Sequence, residues 1–356
     1  MKRVLTYFIA AGMMVAAASL MFSCTKEGPQ GPPGAKGADG KDGTDGKDAN
    51  ATCTQCHNFD DALVAKIFQY ESSQHATGST TFENRTTCAP CHTSQGFREC
   101  IETGAWATAE AVENASRIDC RTCHEIHKTY TDADYVLRWL TPFVNILGET
   151  TDMTTESGNV TGNLCARCHQ IRAASPPITD PTSTTDSLAP TSSRYGPHHG
   201  PQSAMLAGTG GYVTGSKYAN SYHTGRTTCV DCHGATAVGN YTGGHSLRMA
   251  SDAEGDNYNG CNIEACHNGA IVSFDYDGKQ TIIEEKLVIL LEKLQAAGVA
   301  NASGLLVTGK SYCQKMLAVF YNYQFIEADR SLGVHNYKRA NGMLDDGIAY
   351  LESLGY

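Results

Sequence analysis

The sequence predicts a mainly α chain with extensive loops, closed at its C-terminal end by long helices. Three observations carry that expectation. Beyond residue 280, apolar side chains recur at helical spacing in three successive runs. Between 53 and 270 apolar periodicity is sparse, confined to short stretches that read as short helices, with a long Pro-, Ser- and Thr-rich loop over 175–201. Finally, 12 of the 15 cysteines lie in close pairs, each pair ending in Cys-His. So regular a set of Cys and His marks covalently held groups that supply the interior the side chains lack. Fifteen cysteines far exceed the usage of a cytosolic enzyme. The formal charge of −10, from 27 Lys+Arg against 37 Asp+Glu, excludes a nucleic-acid partner, because nothing here neutralises a run of phosphates.

The N-terminus reads Met1-Lys2-Arg3, then an apolar run over 4–22, then Ser23-Cys24. A charged start before an apolar run is a secretory signal. Leu20-Met21-Phe22-Ser23-Cys24 resembles a bacterial lipobox, which makes 1–23 a signal peptide and Cys24 the acylated first residue of the mature chain. Phe22 is bulkier than the residue usual there, and the run is long enough to span a bilayer, so an uncleaved anchor is the rival reading. No later segment is as apolar. The expected location is the outer membrane or cell surface, with a periplasm-facing lipoprotein as the alternative.

Residues 24–50 combine this anchor with a stalk. Seven unbroken Gly-X-Y triplets run from Gly28 to Asp48. Strict threefold glycine is what a collagen triple helix demands, because only hydrogen fits at its axis, and a merely flexible linker needs no such period. As a triple helix the tract would reach roughly 65 Å. A homotrimeric stalk and a solvated monomeric spacer are both open readings.

From 51 to 356 the chain reads as one domain, with cysteine motifs over 53–270 and a helical part over 281–356. Five C-x-x-C-H motifs are present: Cys53, Cys56 and His57; Cys88, Cys91 and His92; Cys120, Cys123 and His124; Cys165, Cys168 and His169; Cys229, Cys232 and His233. This is the attachment signature of c-type haem. On a helical turn the two thiols share a face and reach the porphyrin vinyl groups, and the histidine comes round to offer its imidazole to the iron. Random placement of 15 Cys and 13 His would give about 0.02 such motifs, so a zinc site or redox dithiol is a poor rival. A sixth site is wider, Cys261-Asn-Ile-Glu-Ala-Cys266-His267; a Cys261–Cys266 disulfide is its alternative reading. Six haems are expected. Stacked and covalently bound, they would form much of the core, so the haem-free chain is expected not to fold.

Six of the 13 histidines lie in motifs. The other seven, His75, His127, His198, His199, His223, His245 and His335, suffice to give each iron a second axial imidazole. Iron with two imidazoles passes electrons and has no open position for substrate. His198 and His199 compete for one place. Of the remaining cysteines, Cys24 goes to lipid, while Cys100 and Cys313 either pair or are buried; Cys313 reads as lying on an apolar helix face with Met316 and Phe320.

Element by element, Phe59, Leu63, Ile67 and Tyr70 predict a short helix, and Tyr135, Val136, Trp139 and Leu140 another, stopped by Pro142. The stretch 175–201, rich in Pro, Ser and Thr, reads as a long loop. Three amphipathic helices follow: Ile283, Leu287, Leu290, Leu291 and Leu294; Tyr312, Met316, Val319, Tyr323 and Ile326; Tyr337, Met343, Leu344, Ile348 and Leu351.

The haem region resembles periplasmic and outer-surface multihaem cytochromes c, a broad family that includes relatives of the pentahaem nitrite reductases. The sharper part of the resemblance is C-terminal. It comprises Tyr321-Asn322-Tyr323-Gln324-Phe325, then Asp329-Arg330-Ser331-Leu332-Gly333-Val334-His335-Asn336 before a long helix, with Phe274-Asp275-Tyr276-Asp277-Gly278 ahead. The last of these is not a calcium loop, because Lys279 stands where an acidic ligand would be wanted. In the family the His of the Gly-Val-His-Asn ending is a distal ligand, which implies that role for His335. A second His three residues after a motif, as in His124-Glu-Ile-His127, there usually serves a neighbouring haem. The six motifs, the sufficient distal histidines and the tether point to an electron carrier between a periplasmic or membrane donor and an extracellular acceptor or redox protein partner, at low potential because His-His ligation lacks a thioether. A reductase of nitrite, hydroxylamine or a sulfur oxyanion is the rival, although no C-x-x-C-K motif is present. A stalked or filament-forming structural cytochrome is the third reading.

Overall fold

The computed structural model describes residues 61–78 and 84–356. The signal segment, Cys24, the Gly-X-Y tract and the first motif (Cys53, Cys56 and His57) lie outside the described residues.

Up to residue 270, helices are short and set by local caps. Helix α1 (Asp61–Ser72) carries Leu63, Ile67 and Tyr70 along one stripe, as their spacing predicts. Ser73 then caps α2 (Gln74–Thr77), its hydroxyl accepting from the Ala76 N–H at 3.1 Å. Helix α3 (Ala89–His92) has proline in its first turn, where no N–H is needed. Helix α4 (Ser94–Thr103) begins at Thr93, whose hydroxyl accepts from the Gly96 N–H at 3.0 Å, and ends at Gly104 with φ 74°. Gly96 lets α3 and α4 close on each other, since a Cβ there would sit 2.5 Å from the Ala89 carbonyl oxygen. The remaining short helices are α5 (Cys120–Cys123), α6 (Gly162–Ala166), α7 (Gln202–Ala207) and α8 (Cys229–His233).

Strands among the described residues are two residues long and antiparallel: β1 (Phe143–Val144) with β2 (Thr150–Thr151), β3 (Ser187–Leu188) with β6 (Tyr312–Cys313), and β4 (Ala250–Ser251) with β5 (Gly255–Asp256). The β3–β6 pair ties the long loop 175–201 to the C-terminal helices. Gln314 reinforces it, its side-chain oxygen accepting from the Thr179 N–H at 2.7 Å and the Asp180 N–H at 3.0 Å.

The helix expected at Tyr135–Leu140 does not form. A single 3₁₀ turn (Asp132–Tyr135) gives way to extended chain. Polar groups outbid a stripe barely one turn long. Asp134 accepts from the N–H groups of Lys128, Thr129 and Tyr130, closing the turn backwards. Leu137 forms a β-bridge with His124, and the Arg138 guanidinium donates to the carbonyls of Arg121 and His124. The segment is thereby laid along a cysteine motif.

The three C-terminal helices do form: α9 (Lys279–Ala296), α10 (Gln314–Asp329) and α11 (Tyr337–Ser353). Asp275 caps α9, accepting from the Gln280 and Thr281 N–H groups at 2.8 and 3.1 Å. Helix α9 buries Ile283, Leu287, Leu290 and Leu294 on one face. Helix α10 departs from the amphipathic expectation: 12 of its 16 residues are buried, including Met316, Leu317, Phe320, Tyr321 and Phe325, so it is the central rod of the core. Residues from 171–218, among them Tyr195, Met205 and Tyr218, pack on the side that α9 and α11 leave open. Cys313 lies in β6 ahead of α10, not on the helix, with its sulfur 3.4 Å from the Tyr350 hydroxyl. Cys100 is 1 % exposed within α4, and no disulfide joins the two. Among the described residues, no helix is long and apolar enough to cross a membrane.

Candidate haem sites

Each regular motif in the described chain wraps one turn, so that the histidine N–H reaches back to its first cysteine. The His92, His124 and His169 amides donate to the carbonyls of Cys88, Cys120 and Cys165 at 3.2, 2.9 and 3.0 Å. Caps hold the turns. Asp119 accepts from the Arg121 and Thr122 N–H groups at the start of α5, and Asp231 accepts from the Thr228 N–H at 2.7 Å at the start of α8. The wide motif closes on the same bond. The His267 N–H donates to the Cys261 carbonyl at 3.1 Å, and the two extra residues loop out through a turn in which the Cys266 N–H donates to Ile263.

Every motif histidine in the described chain faces one histidine from outside the motifs. His92 faces His198 at 6.3 Å between ring centroids, His124 faces His245 at 6.2 Å, and His169 faces His75 at 6.2 Å. His233 faces His335 at 6.3 Å, and His267 faces His223 at 6.2 Å. Two metal–imidazole bonds of about 2 Å, with about 1.1 Å from each ring nitrogen to its ring centre, put two axial imidazoles about 6.2 Å apart. The pairs fit an iron between them. A zinc site would need three or four converging donors; among the described residues no three His, Cys, Asp or Glu side chains converge.

The far side of the rings is fixed as a ligand requires. Nδ1 of His124, His223 and His233 donates to the carbonyls of Tyr135, Val334 and Leu247 at 2.7, 2.9 and 2.9 Å. A carbonyl only accepts, so the proton is on Nδ1 and Nε2 is left with its lone pair. His169 Nδ1 donates to the Gln202 side-chain oxygen at 3.0 Å; the Gln202 amide in turn donates to the Ala328 carbonyl, which settles its orientation. His335 Nδ1 donates to the Asp329 carboxylate at 2.7 Å. Burial pushes His75 down to about 4, helped by the facing His169. It does the same to His198, with Arg172, His199 and His92 adding to the effect. Both are therefore neutral imidazoles at neutral pH. His335 alone moves up: burial disfavours its charge, but Asp329 outweighs that.

The segment 328–335, the last two residues of α10 and the loop that follows, has an unusual share in this arrangement. Ala328 braces the partner of His169, Asp329 holds His335, and Val334 holds His223. Its path requires positive φ at Arg330 (60°), Leu332 (46°) and Gly333 (88°). His127 and His198 also have positive φ, 67° and 69°. Such backbone persists in bulky residues only where the surroundings impose it.

No disulfide joins any of the ten motif cysteines in the described chain, Cys261 and Cys266 included. Motifs also touch one another. Cys91 Sγ lies 3.9 Å from the Arg167 carbonyl, and Cys168 Sγ lies 4.0 Å from that of Pro90. Within the fourth motif, the Arg167 guanidinium is enclosed by Trp106 at 4.4 Å, Trp139 at 4.6 Å and Phe143 at 5.0 Å.

Of the seven spare histidines, five face a motif histidine. His199 is exposed beside His198, with ring centroids 5.3 Å apart. His127 stacks on Tyr130 at 5.6 Å, and His124 of its own motif faces His245. Sequence reasoning missed Gln202, Asp329 and Arg167. Asp329 stood six residues before His335 as a visible signal; backbone carbonyl acceptors leave none.

No family model matches the chain, and no curated protein matches it. Among solved structures it is similar to the outer cell wall cytochrome OcwA, with a TM-score of 0.47 and 20% identity over 80% of this chain and 50% of that one. It is also similar to the undecahaem cytochrome from the S-layer of Carboxydothermus ferrireducens, with a TM-score of 0.46 and 18% identity over 80% of this chain and 40% of that one. The chain spans half or less of the length of these structures, and likeness at this level assigns no function.

Proposed function

We propose that 51–356 is an electron-transfer unit carrying six c-type haems, each held between two imidazoles. The observation that carries this reading is the set of five motif-to-distal histidine pairs at 6.2 to 6.3 Å. The cysteines of each motif would hold a porphyrin by thioethers, and His75, His198, His223, His245 and His335 would serve as the second ligands of five irons. For the sixth, on Cys53, Cys56 and His57, the distal ligand is His127, whose own motif histidine already faces His245. A haem with two imidazoles supplies a one-electron carrier with no open coordination position. The protein's share is to fix the rings through Nδ1, keep His75 and His198 neutral and set the motifs beside each other.

Export as a surface lipoprotein tethered through Cys24 on a Gly-X-Y stalk, trimeric or not, is supported by the sequence alone. It suits a donor at the membrane or in the periplasm and an acceptor outside the cell. A soluble redox partner would dock through a basic patch on this acidic chain.

Denaturing mass spectrometry of the holoprotein is expected to show six covalent haems, and electron paramagnetic resonance only low-spin ferric iron. Carbon monoxide should leave the reduced spectrum unchanged. Fewer than six haems would overturn the count, and a high-spin iron that binds nitrite would replace the carrier with a reductase.

A further inference from the structure

The Asp329 carboxylate lies against the outer nitrogen of the His335 ring, Nδ1 donating to it at 2.7 Å. Its carboxylate is 3 % exposed, and its sole ion-pair partner among the described residues is His335. The other oxygen accepts a short hydrogen bond from Ser331 Oγ. Four other rings hand the same proton to neutral acceptors: the carbonyls of Tyr135, Val334 and Leu247 and the amide oxygen of Gln202. A carboxylate draws the Nδ1 proton away from the ring more strongly than an amide does, so Nε2 becomes a better donor. A better donor favours ferric over ferrous iron, and a buried negative charge beside the site acts in the same direction because little water screens it.

We propose that Asp329 lowers the reduction potential of the haem held by Cys229, Cys232 and His233 and ligated distally by His335. The inference rests on the six-haem reading above. Asp329 is a positioning and tuning residue: it touches the ligand and not the iron. Ser331 is part of the device. By donating to the far oxygen it weakens the carboxylate's pull on His335, so its removal shifts the potential the opposite way to removal of Asp329.

The test is a spectroelectrochemical titration of the full-length holoprotein, wild type against Asp329→Asn, Asp329→Glu and Ser331→Ala. In Asp329→Asn one component moves upward while the others stay in place; Asp329→Glu returns it towards wild type. In Ser331→Ala the same component moves downward. A merely structural role predicts no such change of sign, and the Ser331 variant keeps the question answerable if Asp329→Asn loses haem. Superimposable curves, movement of a different component, or shifts of one sign in both variants would overturn the proposal. Haem count and low-spin signal in the wild-type sample test the six-haem reading separately, so the two failures are told apart.

Discussion

At position 198 two adjacent histidines, both exposed, differ in what their rings meet. His198 adopts φ 69° and faces the His92 ring, whereas the ring contact found for His199 among the described residues is with His198 itself. Replacing His198 by Ala is expected to convert one low-spin iron into a high-spin iron that binds carbon monoxide. His199→Ala should leave both spectra as in wild type. The spacing of Cys and His made every described motif turn legible, because it is a local pattern. The choice between 198 and 199, and the pairing of His169 with His75 ahead of it by 94 positions, depend on backbone direction and tertiary approach, which no local pattern carries. Arg167 is a further case. It reads as a filler between two cysteines, yet three aromatic rings enclose it. Arg167→Ala should lower stability by about 2 kcal/mol or more, measured by guanidinium unfolding, since desolvated cation–π contacts reach that size.

Among the elements, those whose order comes from apolar period were legible and those whose order comes from caps were not. Helices α9, α10 and α11 each announce themselves over more than four turns. The absent helix at 135–140 shows the other case, where the carboxylate of Asp134 and the guanidinium of Arg138 outweigh one apolar turn. Asp134 has its carboxyl held down to about 2: burial opposes the charge, but the Thr129 hydroxyl and the surrounding N–H groups win. A carboxyl depressed below its ordinary value stabilises above that value and loses the contribution as it protonates. The turn 127–134 is therefore expected to open between about pH 4 and pH 2, read as faster backbone hydrogen exchange at Lys128–Tyr130 than in the C-terminal helices. Packing between helices is equally specific. At Gly347 a Cβ would lie 3.1 Å from Val319 Cγ1 and 3.3 Å from Leu290, so α11 approaches both neighbours through a missing side chain. Gly347→Leu should destabilise by about 1–3 kcal/mol in guanidinium unfolding, the usual cost of overpacking.

For the molecule as a whole, apolar side chains are unevenly shared. One cluster joins α9, α10 and α11 with residues of the 171–218 region; the second comprises four buried residues, Phe143, Met153, Ala166 and Leu206. The expectation that a haem-free chain would not fold at all is accordingly narrowed. With all twelve motif cysteines replaced by Ala, protection from proteolysis and hydrogen exchange should persist over 279–353 and vanish over most of 84–270. A cooperative melt of the whole chain would show that side chains alone suffice there.

The segment 328–335 makes the consequences of a length change very unequal along the chain. Before it, motifs sit on separate linkers, and an added residue can be absorbed where it falls. In this segment the contacts to Gln202, His335 and His223 follow one another within eight positions, at fixed phase. One residue inserted after Arg330 would put two of the three out of register at once, whereas one inserted near Thr184 in the long loop would disturb none. In an engineer's terms the cysteine region degrades gracefully, and this short bend is where a single fault spreads to several centres.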